Sequence, residues 1–270
     1  MTTTVEVNGT PLAYAHAAGE RDLTFVFVNA LTGSAAMWEA GIAPSLRERG
    51  YGTLAFDLPG QGASPLPADG TVTAAELTAA TAALVQALAP SKPVFVGLSI
   101  GGLFALQAHL AGTPASGFVL VNTLRKPGPR LAWINAAVAR LASLGGGRLV
   151  RDAYAPLLFA PAWLAANRGD ALAPEPYEGL GPDAAERRLL EAGCGAEWDV
   201  AYEDVRAPVV VLSGLEDRVF FDAADVAALT ARFPDAVRQD EPDGGHLLPV
   251  EKPEAVVRAG LVVAGRVGAG

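Results

Sequence analysis

The chain has little that could be cross-linked, ligate a soft metal or cross a membrane. It contains one cysteine, Cys194, which excludes an internal disulfide framework and a cysteine-based metal cluster. Alone, Cys194 reads as a small buried hydrophobe. No apolar run approaches the roughly 18 residues of a membrane span. The N-terminal stretch Met1-Thr2-Thr3-Thr4-Val5-Glu6 has no basic segment followed by an apolar one, so no signal peptide is expected and the expected location is the cytoplasm, with no membrane partner. Basic residues are also few. Twenty Lys and Arg stand against 29 Asp and Glu, giving a net charge of −9 and a pI near 4.9. That balance argues against a nucleic-acid partner. Internal repeats and low-complexity linkers are absent. There are only three histidines, His16, His109 and His246, which shortens any search for a catalytic base.

What the chain does have is apolar mass. Half of its 270 residues are hydrophobic (51%), enough for one α/β domain with an insertion or for two small domains. Residues 3–16 alternate around Asn8-Gly9-Thr10-Pro11 and read as an opening hairpin. Apolar strands follow at Leu23–Val28, Tyr51–Phe56, Pro93–Leu98 and Phe118–Asn122. Helical stretches at 36–49, 73–89 and 100–111 separate them. Strand and helix in alternation imply a parallel sheet covered on both faces. In such sheets ligands sit beyond the carboxyl ends of the strands. Asn29, Asp57, Ser99 and Asn122 all fall at or just past such ends.

The alternation stops near residue 124. This divides the chain into a first core part at 1–124, a helical cap or lid at 125–205 and a second core part at 206–270. The insertion is Pro-broken, with helical stretches at 131–144 and 183–193, and it holds Trp133, Trp163 and Trp198. Trp133, Leu157, Leu158, Phe159 and Trp163 are its candidates for lining an apolar pocket. Arg125 and Lys126, just past the fourth of these strands, could hold a substrate carboxylate. The sheet resumes with Pro208–Gly214. A helix then runs from Asp222, which could cap it, to Phe233. A strand at Val237–Glu241 and a helix at 254–263 close the chain, and the tail from Gly265 to Gly270 is expected to be disordered.

The densest signal is Gly97-Leu98-Ser99-Ile100-Gly101, a G-x-S-x-G pattern between a strand and a helix. A turn this sharp holds the serine in a strained conformation with its oxygen exposed, and glycines on both sides let strand and helix approach. A serine hydroxyl needs a base, and the base needs an orienting carboxylate. His246, in Gly244-Gly245-His246-Leu247, follows the last strand and is the candidate base. His16 and His109 have no expected role in catalysis. Asp217 in Gly214-Leu215-Glu216-Asp217 is the candidate carboxylate, with Glu216 and Asp222 as rivals.

These motifs, together with Asp57-Leu58-Pro59-Gly60-Gln61-Gly62-Ala63-Ser64 and Glu251-Lys252-Pro253-Glu254, resemble the α/β-hydrolase superfamily. The resemblance is to its small lidded members: esterases, lactonases and carbon–carbon bond hydrolases. It implies a mostly parallel central sheet flanked by helices, with the lid inserted after the strand ending near Asn122. It also implies a Ser99–Asp217–His246 triad and an oxyanion hole from the backbone N–H groups of Leu31 and Ile100. Asn29-Ala30 stands where many relatives have His-Gly. Asparagine there, and Met37-Trp38 nearby, resemble enol-lactonases of aromatic-acid breakdown. A serine rather than an aspartate at 99 argues against haloalkane dehalogenase or epoxide hydrolase chemistry. The implied activity is cleavage of a small to medium ester or lactone through an acyl-enzyme, with a small-molecule carbonyl substrate and no metal or cofactor. Carbon–carbon bond hydrolysis, acyl transfer, and a non-hydrolytic lyase or ligand-binding role remain open.

Overall fold

The computed structural model describes residues 3–123, 129–167, 172 and 175–268. Eight strands form one sheet in the order β1-β2-β4-β3-β5-β6-β7-β8. The opening hairpin is β1 (Thr3–Val7) and β2 (Thr10–Ala17). β2 joins β4 (Gly52–Phe56) antiparallel. From there β3 (Thr24–Val28), β5 (Pro93–Leu98), β6 (Gly117–Val121), β7 (Val209–Gly214) and β8 (Ala236–Glu241) run parallel to β4.

The inner strands are apolar throughout because both faces are covered, and alternate residues divide between two cores. Val26, Phe95, Phe118 and Val211 pack under α3 (Ala74–Leu88), α4 (Ile100–Leu110) and α8 (Ala223–Arg232). Phe25, Val96, Val119 and Leu212 face α1 (Ala35–Glu39), α2 (Ile42–Arg47), α9 (Leu248–Glu251) and α10 (Pro253–Val267). Trp38 of α1 is wholly buried and stacks on Phe27, with ring centroids 5.0 Å apart. Burial of a side chain that size is worth about 3 kcal/mol.

Two details of order place the site. β3 pairs with β4 on one side and β5 on the other, so the direction of winding reverses between β3 and β5. That reversal opens a crevice at the carboxyl ends of those two strands, where Asn29 and Ser99 emerge. Between β6 and β7 the described residues form helices and no strand: α5 (Pro129–Leu158), interrupted at Gly145–Gly146, then α6 (Pro161–Ala166) and α7 (Ala185–Cys194).

Several helix boundaries differ from the sequence reading. The expected helix at 36–49 is two helices that turn at Ala40-Gly41, with Pro44 tolerated in the first turn of α2. Residues 131–144 belong to the longer α5. The tail is ordered further than expected, since α10 continues through Gly265 to Val267. Thr73 caps α3 with a reciprocal Glu76 capping box, and Asp222 caps α8 as its position suggested. Cys194 is a correction. It lies at the end of α7 with its side chain exposed rather than buried. No helix among the described residues is long and apolar enough to cross a membrane.

At the β5–α4 turn the backbones touch. A Cβ on Gly101 would overlap the Val28 and Asn29 carbonyl oxygens. Gly101→Ala is therefore expected to lower stability by about 2–3 kcal/mol, read as a fall in the urea midpoint at unchanged slope.

Candidate active site

Ser99 is the residue between β5 and α4, and its backbone is at φ 54°, ψ −123°. This region is costly for a residue with a side chain, by about 1–3 kcal/mol. The surroundings hold it there. Its N–H donates to the Val121 carbonyl (2.8 Å), and its own carbonyl accepts from Gly102 N–H (3.1 Å). Gly97 lies against Gly102 and Gly102 against the Thr123 side chain, so neither position has room for a side chain. The Ile100 N–H, in the first turn of α4, is a donor that the helix itself leaves unpaired.

His246 and Asp217 meet as the sequence suggested. His246 Nδ1 is 2.6 Å from Asp217 Oδ2, and both side chains are almost wholly buried. With Nδ1–H donating to the carboxylate, Nε2 keeps its lone pair. Asp217 Oδ1 accepts from the N–H groups of Val219 (3.0 Å) and Phe220 (2.9 Å). The same turn sets the Phe220 ring 4.6 Å from the imidazole. The two rivals lie elsewhere: Glu216 pairs with Arg218, and Asp222 caps α8. His16 is exposed on β2. His109 Nδ1 lies 3.0 Å from the Thr113 carbonyl beyond the end of α4.

Asn122 ties these pieces together. At φ 48° it leaves β6, and its Oδ1 accepts from Gly214 N–H at 2.8 Å. Its Nδ2 donates to the carbonyls of Gly245 (3.1 Å) and His246 (2.8 Å). One side chain thus fixes the starts of both the Asp217 and the His246 loops. Glu251 does related work on the other side of His246. Its Oε2 accepts from Gly245 N–H (3.1 Å) and from Ala160 N–H (2.8 Å) in the helical insertion. His246 N–H donates to the Leu158 carbonyl at 2.5 Å. Burial pushes the Glu251 carboxyl above the usual glutamate range, outweighing the backbone donors that favour its ionised form.

A third polar knot fixes the loop after β3. Asn29 is fully buried. Its Nδ2 donates to the Phe56 carbonyl and to Gln61 Oε1, both at 2.9 Å. Its Oδ1 accepts from Trp38 Nε1 at 2.7 Å. Gln61 Nε2 then donates to the carbonyls of Ala30 (2.7 Å) and Leu31 (2.8 Å), and its Oε1 also accepts from Leu58 N–H. Sequence reasoning noted Asn29, Trp38 and the Pro-Gly-Gln-Gly turn separately and missed that they form one network. The available signal was a long amide side chain between two glycines. Asp57, at the end of β4, spans the neighbouring loops by accepting from Ala35 and Ala63 N–H groups.

Ser99, His246, Leu31 and Ile100 line one cavity of about 290 Å³. Its opposite wall comes from α5, α7 and Trp198. Of the insertion residues expected there, Leu158 and Phe159 line it. Trp163 stacks on Phe159 from behind, centroids 4.0 Å apart, and does not reach the cavity. Trp133 is a clear correction, because it is 80% exposed. The cavity face of α5 is Leu131, Asn135 and Val138, and a residue two positions from Leu131 points about 200° away. Leu157 is 43% exposed on the flank of the helix, and its carbonyl accepts from Arg218 N–H. Arg125 and Lys126 lie outside the described residues.

Comparison with known proteins agrees with this architecture. The model of the alpha/beta hydrolase family matches residues 25–259. A protein of Variovorax paradoxus, provisionally named carbamate hydrolase RutD, is 29% identical over 191 residues, 69% of this chain and 71% of its own. Among solved structures, a thermophilic esterase from Thermogutta terrifontis superposes with a TM-score of 0.81 at 21% identity, over 99% of both chains. The enol-lactonase of Burkholderia xenovorans gives 0.77 at 24% identity, over 97% of this chain and 100% of its own.

Two outcomes are expected of the supporting residues. Gln61→Leu takes the Gln61 partner from the Leu31 carbonyl and the Leu58 N–H and removes one of the two acceptors of the Asn29 amide, at a cost of about 2–3 kcal/mol, measured by denaturant unfolding. Glu251 has a raised pKa in the fold, so its contribution is largest below the ordinary glutamate pKa and is lost as pH rises through the folded value. The stability of wild type relative to Glu251→Gln is therefore expected to fall from acid toward neutral pH; a difference that stays constant, or grows, would contradict this.

Proposed function

The chain belongs to the alpha/beta hydrolase family, and from that premise we propose that it is a serine hydrolase opening a small to medium ester or lactone through an acyl-enzyme on Ser99. The observation that carries the reading is the coincidence of three features in one place. Ser99 is held in the strained turn, it shares a cavity with His246, and His246 rests on Asp217.

In this mechanism His246 Nε2 takes the proton of Ser99 Oγ as Oγ bonds to the substrate carbonyl carbon. Asp217 keeps the imidazole in the tautomer with Nδ1–H and stabilises the imidazolium. The carbonyl oxygen, now anionic, takes hydrogen bonds from the N–H groups of Ile100 and Leu31. Each such donor is worth about 3–4 kcal/mol in the transition state. The Gln61 bonds to the Ala30 and Leu31 carbonyls set the orientation of that loop before substrate arrives. The carbon–oxygen bond to the leaving group then breaks, and His246 returns the proton to the departing oxygen. Water, deprotonated by His246, attacks the acyl carbon and frees Ser99. The helical insertion acts as the lid, since it supplies the wall opposite Ser99 and excludes water from it.

The curated relatives' name adds a second reading. A carbamate presents the same carbonyl carbon to the same nucleophile, with nitrogen on one side. A panel of p-nitrophenyl esters, lactones and carbamates separates these classes, and added alcohol acceptors would reveal acyl transfer. The decisive measurement is the Ser99→Ala variant. It is expected to lose about a thousandfold or more in kcat/KM and to lose the fluorophosphonate adduct seen by intact mass on the wild type, while its thermal midpoint shows a folded protein. Undiminished turnover in the variant would overturn the assignment.

A further inference from the structure

The cavity wall remote from Ser99 is apolar except at a few points, and one of these carries an unbalanced charge. Glu186, Leu190 and Gly193 occupy one face of α7 at spacings of four and three, and all three line the cavity. Gly193 abuts the side chain of Leu31, so this end of the helix lies on the loop that flanks the reacting carbonyl. Glu186 lies seven residues away, about 10 Å along the axis. Its carboxylate rests against Gly147 of α5, where any side chain would overlap it.

Among the described residues Glu186 has no hydrogen-bond or ion-pair partner. Its neighbours on the wall do not compensate it. The Arg151 guanidinium, which also lines the cavity, is engaged by Asp152 through Nε (3.0 Å) and Nη2 (2.9 Å). The Tyr154 phenol is pushed by burial further from ionising. Burial likewise raises the Glu186 carboxyl above its ordinary range, with no partner acting the other way. A half-buried carboxylate in an apolar wall is costly, and a cation beside it removes that cost.

We infer that Glu186 is a specificity-determining residue that selects substrates bearing an ammonium or amidinium group remote from the scissile carbonyl. The inference rests on Ser99 being the nucleophile at the near end of this cavity. An apolar spacer between the two ends fits the Leu131, Val138 and Leu190 side chains that line the same cavity. The charged end meets Glu186 in a charge-assisted contact.

The test uses ligands that cannot be cleaved: octyltrimethylammonium, octanol and octyl sulfate, each below its micelle concentration. Binding is followed by calorimetry and by the fluorescence of Trp198, which lines the cavity. Wild type, Glu186→Gln and the charge-reversed Glu186→Lys are compared after circular dichroism shows each to be folded. Octyltrimethylammonium is expected to bind wild type about tenfold more tightly than E186Q, with octanol changing far less. E186K is expected to reverse the order and favour octyl sulfate. Equal affinity of wild type and E186Q for the cation, or no reversal in E186K, would overturn the proposal. Fluorophosphonate labelling of Ser99 in the same samples separates the two ideas. Glu186-dependent binding of the cation without labelling removes the hydrolase reading and leaves a cation-selective cavity. Labelling with no charge preference leaves the hydrolase and removes the role of Glu186.

Discussion

Loops that leave the ends of a buried parallel sheet are themselves buried, and their peptide groups must find partners away from water. That constraint governs the rim of this molecule. Asn29, Gln61, Asn122 and Glu251 are among the side chains that meet it. Between them they bind peptide groups of residues 30, 31, 56, 58, 160, 214, 245 and 246. Remove any one, and a segment carrying Ser99's neighbours loses its fixed position along with its solvation. Stability and site geometry rest on the same bonds, so the supporting residues cannot be relaxed without also loosening the site.

The strained turn at Ser99 belongs to the same economy. A positive φ at a serine persists only where the surroundings over-determine it. Here the turn is locked by Val121 and Gly102 through the backbone and by Gly97, Gly101 and Gly102 through the lack of side chains. The strand supplies one wall, the helix the other, and the cost is carried by the two cores on either side of the sheet. The unpaired N–H at the start of α4 comes with the same turn, so the proposed nucleophile and one of its proposed oxyanion donors are products of a single local geometry.

Much of this was legible in the sequence, and for physical reasons. Strands buried on both faces read as continuous apolar runs, so β3 to β7 stood out, and with them the carboxyl ends at which ligands sit in such sheets. Ser99, Asp217 and His246 were legible because each sits in a glycine-containing loop at a strand end, in a fixed order. The helical insertion was legible only as the place where alternation stopped. Which of its faces turns inward depends on long-range packing: two residues of displacement sent Trp133 outward while Leu131 and Val138 turned in. The Asn29–Gln61–Trp38 network joins residues 29, 38 and 61 through space, and nothing local to any of them signals the other two. Cys194 misled because a small thiol is usually buried, whereas the last turn of α7 leaves this one facing out.

Leu158 and Ala160 end the long part of the insertion, yet their peptide groups are joined to His246 and, through Glu251, to Gly245. The boundary between the insertion and the loops that hold His246 therefore does not fall where the sheet stops. Recombination between relatives that exchanged residues 129–205 as a block would carry off two anchors of the histidine loop with the cavity wall. A crossover placed after Ala160 would leave those anchors with the body and transfer only α6, α7 and Trp198. The fold can thus acquire new selectivity from one half of its insertion far more cheaply than from the other.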